Sequence, residues 1–313
     1  MRSNASEYEG VAPGSLDAVL ALLAVEPGAW TPIAGGTELM VALGAGYLQQ
    51  QKLVSLWGIG ELRRIMASDE WLTIGAAATY TDIRRNAVIA MEFPLLARAA
   101  SWTGTIANQN RGTLGGNIVN ASPAADSPPV LLVYEAEIEV VSAQGTRRMP
   151  YSEFHLGYKR TVLQPQELVM AVYLPRGRRL KVEYLRKVGT RNAMAISKVA
   201  LAGVGAMQSG NVQAIRIAAA SLFEIPARLP ATEAELLGHA LTSDRIQAAR
   251  KVLLQEVRPI DDIRSTASYR AYVAANLLEE FLQQMAASDA ATGPSETISR
   301  NNRQLRTPDA SNR

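Results

Sequence analysis

The chain is 313 residues long, 48% apolar and 19% charged, with a formal net charge of +3; that is the balance of a globular protein with room for two domains, and the charge is too small to argue for nucleic acid. Cysteine is absent and His155 and His239 are the only histidines, which excludes disulfides, a thiolate nucleophile, a thiolate-held iron–sulfur cluster and a Cys/His zinc site. No apolar run approaches the roughly 18 residues of a membrane span, and residues 1–14 lack the apolar segment of a secretory signal. Redox chemistry on such a chain needs an organic cofactor.

Ser15 followed by Leu16, Val19, Leu20, Leu22 and Leu23 has the spacing of a capped amphipathic helix, ended by Pro27 and Gly28. A strand over 31–34 runs into Gly35-Gly36-Thr37-Glu38, and a short helix over 39–43 follows. Residues 53–56 and 71–74 read as strands. Residues 94–102 read as a helix with Pro in its first turn. The stretch 110–126 is dominated by Gly, Asn, Ser, Pro and Thr and is expected to be ordered loop. Strands are expected at 138–141 and 169–174. After Pro175 the texture changes, and Arg176-Gly177-Arg178-Arg179 marks a boundary. Strand-like segments at 181–187, 196–207 and 212–223 then give way to helical patterns at 232–239, 243–257 and 266–285, the order of an α+β domain. The tail 286–313 is rich in Ser, Asn, Thr and Ala and is expected to be disordered.

Two glycine-rich segments carry the chemistry. Ala34-Gly35-Gly36-Thr37-Glu38 stands between a strand and a helix. Paired glycines let a backbone approach a ligand and leave N–H groups for phosphate oxygens, helped by a helix N-terminus, although Gly-Gly is also an ordinary turn. The second segment, from Asn110-Arg111-Gly112-Thr113-Leu114-Gly115-Gly116-Asn117 to Asp126, packs hydroxyls, amides, glycines and one acid together, which favours binding over a purely structural loop. Neither segment is a Rossmann fingerprint: Gly44-Ala45-Gly46 begins like one, but Gln49 replaces the third glycine, and no P-loop occurs.

These segments, with Gly157-Tyr158-Lys159-Arg160-Thr161, Arg186-Lys187-Val188-Gly189-Thr190-Arg191 and Pro259-Ile260-Asp261-Asp262-Ile263-Arg264, occur in the order and spacing found in FAD-binding subunits of the xanthine dehydrogenase and carbon monoxide dehydrogenase family. The chain resembles that family over about residues 8–285. The resemblance implies an α+β fold: a two-subdomain FAD-binding domain of the PCMH/vanillyl-alcohol-oxidase type over 1–177, then an α+β domain of the CO dehydrogenase flavoprotein type over 178–285, with 286–313 as tail. It implies FAD, bound non-covalently, with Pro32, Ile33, Ala34, Gly35, Gly36, Thr37 and Glu38 around the pyrophosphate. Gly104, Thr113, Gly116, Asn117, Val119, Asn120, Ala125, Asp126, Val169 and Lys187 are the further cofactor positions. No catalytic acid or base and no metal ligand is implied. The implied partners are a small subunit with two [2Fe–2S] clusters and a large molybdopterin subunit, in a heterotrimer or a dimer of one; without a secretory signal the expected location is cytoplasmic. The stretch after Lys187 carries no acid, whereas members that use NAD can carry acids there; the electron acceptor and the substrate stay open. A stand-alone flavin oxidase and a FAD-less assembly protein are the alternatives.

The remaining conspicuous residues have structural readings. His155 follows an aromatic turn, and His239 stands at a helix end. Asp261, Asp262 and Arg264 suggest a turn with a local ion pair. Tyr269, Tyr272, Leu277 and Phe281 suggest a buried helix face. Eleven basic residues between Arg147 and Arg191 against Glu153, Glu167 and Glu183 are either solvated strand ends or a face that meets a phosphate-bearing cofactor or acidic partner.

Overall fold

Parallel strands need crossover connections, and the first 55 residues supply them in the computed structural model, which describes residues 7–191 and 195–290. Glu9–Val11, Lys52–Ser55 and Trp30–Ile33 lie side by side in that order as a parallel sheet, with helices Leu16–Val25 and Leu39–Gly44 in the connections. Ser15 caps the first helix by accepting the Ala18 N–H at 3.3 Å. Its Val19, Leu20 and Leu23 bury against Trp30, Val54 and Leu56.

The second lobe is a five-stranded antiparallel sheet in the order Ile65–Ala67, Trp71–Gly75, Leu168–Pro175, Glu137–Ser142, Gly145–Pro150. Pro94–Trp102 forms a helix with Pro at its start, as its sequence predicts. Helices Tyr80–Arg85 and Ala87–Glu92 precede it and were not foreseen, although Thr79 and Asp82 form a capping box ahead of the first and Asn86 caps the second.

Past Gly177 the chain builds a four-stranded antiparallel sheet, Val182–Val188, Val199–Gln208, Asn211–Ala220 and Ala227–Arg228, backed by helices Pro230–Leu236, Ser243–Glu256 and Ala267–Ala290. Helix Pro128–Val133 has every side chain buried. It belongs to a core that joins Ile138 and Val172 of the second lobe to Leu185, Ala202 and Val204 of the C-terminal sheet. The C-terminal sheet therefore packs against the second lobe through a continuous apolar layer.

Three expectations need correction. The stretch 110–126 is not all loop: Leu114–Val119 is a helix capped by Thr113, whose hydroxyl accepts the Gly116 N–H at 3.1 Å. Leu114 and Ile118, four apart and fully buried, drive it, an apolar pair masked by the glycines between them. The tail does not begin at 286, because the last helix continues to Ala290; the rest of that expectation lies outside the described residues. Finally, Leu277 and Phe281 are buried, but Tyr269 and Tyr272 are 43% and 63% exposed; at that end the buried face is carried by Arg270, which donates to the Lys198 carbonyl at 2.6 Å.

Candidate functional site

The two glycine segments meet. Gly35 sits so close to the second segment that a Cβ built on it would lie 1.6 Å from the Arg111 carbonyl oxygen, and Arg111 Nε donates to the Gly35 carbonyl at 3.5 Å. The Arg111 guanidinium also stacks 3.9 Å from the Trp57 ring. Gly36 adopts φ +74°, the left-handed region that side chains disfavour. The N–H groups of Gly35, Gly36 and Thr37 donate to no acceptor among the described residues. The following helix has only six residues, so its dipole adds little and the loop amides themselves are the donors on offer.

Between the loops lies a cleft of about 410 Å³. Its walls bring together ten of the expected positions: Pro32, Ala34, Gly35, Gly36, Thr37 and Glu38 from the first segment, Gly116, Val119 and Asn120 from the second, and Val169 from the sheet. It also takes in Leu163, Gln164, Pro165 and Glu167, which sequence reading missed. The only signal for them was a polar turn before a strand. Ile33 lies behind Gly36, and Thr113 acts as a buried helix cap. Asn117 Oδ1 is buried with no hydrogen-bond partner, an acceptor that a ligand donor would satisfy.

The other expected residues do not line this cleft. Gly104 makes a left-handed turn, φ +63°, before the helix Ile106–Gln109. Ala125 is buried. Asp126 and Lys187 pair at 2.6 Å, with side chains only 11% and 14% exposed. The pair joins the second segment to the C-terminal sheet. Lys187 Nζ also donates to the Trp102 carbonyl at 3.4 Å, and Ser197 Oγ donates to Asp126 Oδ1 at 2.7 Å. Burial pushes the Asp126 carboxyl above its usual range, opposed by Lys187 and Ser197. Ser197 was not foreseen, because only the fold brings it to Asp126.

The other conspicuous residues make contacts within the chain. His155 packs edge-on against Tyr151 and Phe154, and burial lowers its pKa. A neutral imidazole then donates from Nε2 to the Ile118 carbonyl at 2.8 Å, bracing the second segment. Asp262 pairs with Arg264 at 3.1 Å and Arg270 at 2.6 Å. No group of metal-ligating side chains exists among the described residues. The basic stretch is divided among internal pairs: Arg147 with Glu167, Arg148 with Glu137, Arg176 with Glu92, Arg179 with Glu183 and Arg186 with Glu280. A second hollow of about 570 Å³ includes Arg176, Arg178, Arg179 and Arg216, but three of these are engaged by Glu92, Glu183 and Glu135. None of the expected positions lines it. Among the described residues no helix is long and apolar enough to cross a membrane.

The chain is similar to known proteins over most of its length. Residues 6–177 match the family described as FAD binding domain in molybdopterin dehydrogenase, and residues 184–285 match the CO dehydrogenase flavoprotein C-terminal domain. The carbon monoxide dehydrogenase medium chain of Hydrogenophaga pseudoflava is 29% identical over 279 residues, 88% of this chain and 96% of that one. The xanthine dehydrogenase FAD-binding subunit of Escherichia coli O157:H7 is 28% identical over 258 residues, 82% of this chain and 88% of that one. A solved structure of the Hydrogenophaga pseudoflava carbon monoxide dehydrogenase superposes with a TM-score of 0.85 at 28% identity, over 90% of this chain and 98% of that one. The chain therefore belongs to the family of FAD-binding domains of molybdopterin dehydrogenases, with the CO dehydrogenase flavoprotein C-terminal domain attached.

Proposed function

We propose that this chain is the FAD-carrying electron-transfer subunit of a molybdenum hydroxylase. It takes electrons from an iron–sulfur partner and passes them to an external acceptor. The observation that carries the reading is the convergence of both glycine segments on one cleft, with three backbone amides unengaged beside it. The residues fit FAD. Gly35, Gly36 and Thr37 would hold the diphosphate by their N–H groups, framed by Pro32, Ile33, Ala34 and Glu38. Gly116, Val119, Asn120 and Val169 would form the facing wall, and the free Asn117 Oδ1 would accept a hydrogen bond. Thr113 would set the helix that carries them. Gly104, Ala125, Asp126 and Lys187 would shape the C-terminal side. Residues 1–177 and 178–285 are the two units of this reading, and a cytoplasmic location goes with it.

The cofactor supplies the electron chemistry; the chain binds, orients and shields it. Both carboxylates of the cleft wall are paired, Glu38 with Lys159 and Glu167 with Arg147. Neither is poised as a general base, which disfavours a stand-alone oxidase. Relatives named as a subunit and a medium chain of dehydrogenases support a complex; in this reading its other members are a small iron–sulfur subunit and a large molybdopterin subunit.

Expressed alone, the chain is expected to purify yellow, and acid precipitation is expected to leave the flavin in the supernatant. It should not oxidise aldehydes, purines or related substrates. Co-expressed with both partner subunits it should co-purify, and its flavin should bleach when substrate is added anaerobically. Rapid substrate-driven bleaching of the isolated, metal-free chain would overturn the assignment.

Gly116→Val should affect binding more than folding. Gly116 is helical, and a Cβ there meets only the Thr113 hydroxyl, at 2.9 Å. Valine forms helix slightly better than glycine but presses on the capping hydroxyl, so stability should fall by no more than about 1 kcal/mol while flavin content falls at least several-fold. Full occupancy would show that this wall does not face the cofactor.

A further inference from the structure

The cleft wall contains two carboxylates, Glu38 and Glu167, and no lysine, arginine or histidine. A dinucleotide brings a negatively charged diphosphate, so both acids need neutralising from outside the wall. Glu167 is closed off. Arg147 donates Nε to its Oε1 at 2.9 Å and Nη2 to its Oε2 at 2.7 Å, and the Gln164 N–H adds a third bond at 2.8 Å. These bonds, Arg147 first, hold its carboxyl below the usual range.

Glu38 differs. Its side chain is 64% exposed and is met by Lys159 Nζ at 3.4 Å. The same ammonium donates to Asn120 Oδ1 at 2.5 Å. Lys159 therefore bridges the first glycine segment to the second, and both of its contacts line the cleft. Its backbone is placed for this at a cost. Lys159 lies at φ +56° and its N–H donates to the Ala121 carbonyl at 3.2 Å, with Ala121 itself at φ +46°. Both residues are non-glycine and left-handed, an uncommon backbone that persists where the surroundings enforce it.

We propose that Lys159 is the positioning cation of this cleft: it neutralises Glu38, holds Asn120 beside it, and so admits the diphosphate of an anionic dinucleotide. The proposal rests on the flavin reading above. Flavin-stripped full-length chain, titrated with FAD by flavin fluorescence at fixed ionic strength, tests it, alongside the melting midpoint of each stripped variant.

Lys159→Met is expected to raise the FAD Kd about three- to tenfold, a modest factor because the pair is partly solvated. Lys159→Arg should restore near-wild-type binding. Combining Lys159→Met with Glu38→Gln should recover most of the loss, because the uncompensated acid is gone. The stripped variants should melt within a few degrees of wild type. An unchanged Kd in Lys159→Met overturns the proposal, as does a loss that Glu38→Gln does not relieve. A wild-type chain that binds no FAD overturns the flavin reading and this proposal with it, whereas wild-type binding matched by Lys159→Met overturns the proposal alone.

Discussion

Replacing Lys187 by Met lowers the stability of the folded chain at neutral pH by about 3 kcal/mol, the lower end of the cost of stripping one partner from a buried ion pair. The Lys187–Asp126 pair is 2.6 Å long and mostly shielded from water, and without Lys187 the Asp126 carboxylate keeps, among the described residues, the bond from Ser197. Burial already raises the Asp126 pKa in the wild type, and Lys187 is the first of the groups that oppose it. Removing Lys187 raises it further. An acid whose folded pKa exceeds its unfolded value binds more protons folded than unfolded, so stability falls as pH rises through the window between the two. The deficit of Lys187→Met should therefore be largest at neutral pH and shrink as pH falls toward the ordinary carboxylate value of about 4. Thermal or urea unfolding across that range measures it. Asp126→Asn in the same chain should restore much of the loss at neutral pH. A deficit that grows on acidification would refute the account.

Gly35→Ala is the smallest substitution with a large effect on the cleft. The added methyl would stand 1.6 Å from the Arg111 carbonyl oxygen and 2.4 Å from its carbon, both backbone atoms that no rotamer change can move. The two glycine segments must part, with an overpacking cost of about 1–3 kcal/mol. FAD affinity should fall more than tenfold, because the facing walls of the cleft separate. Flavin titration and thermal melting of the stripped chain should register both effects together. Wild-type flavin occupancy in Gly35→Ala would mean that the observed approach of the loops is not needed for binding. The contrast with Gly116→Val is informative: one glycine is required by protein backbone, whereas the other is open on the cleft side.

The segments that are regular in sequence were legible. Ser15 with the Leu16 to Leu23 spacing and Pro94 at the start of its helix announced local structure by capping and periodicity, signals that act over one or two turns. The helix Leu114–Val119 was hidden because its two buried anchors are separated by glycines and amides typical of loops. Tyr80–Arg85 was readable from Thr79 and Asp82 but lacks a long apolar stripe.

At the cleft, the sequence by itself determined the residue types: paired glycines able to bring backbone near a phosphate, no thiolate and no histidine cluster to support metal chemistry. Which of those glycines line the cleft and which are held against protein backbone was decided by the tertiary structure. Gly35 touches Arg111, 76 positions away, and Lys159 reaches Glu38, 121 positions away. The same holds for Ser197 at Asp126, 71 positions away. Such contacts have no local pattern to reveal them, because capping and periodicity report only on neighbours within a turn or two. The partners of a buried charge are set by how distant elements pack.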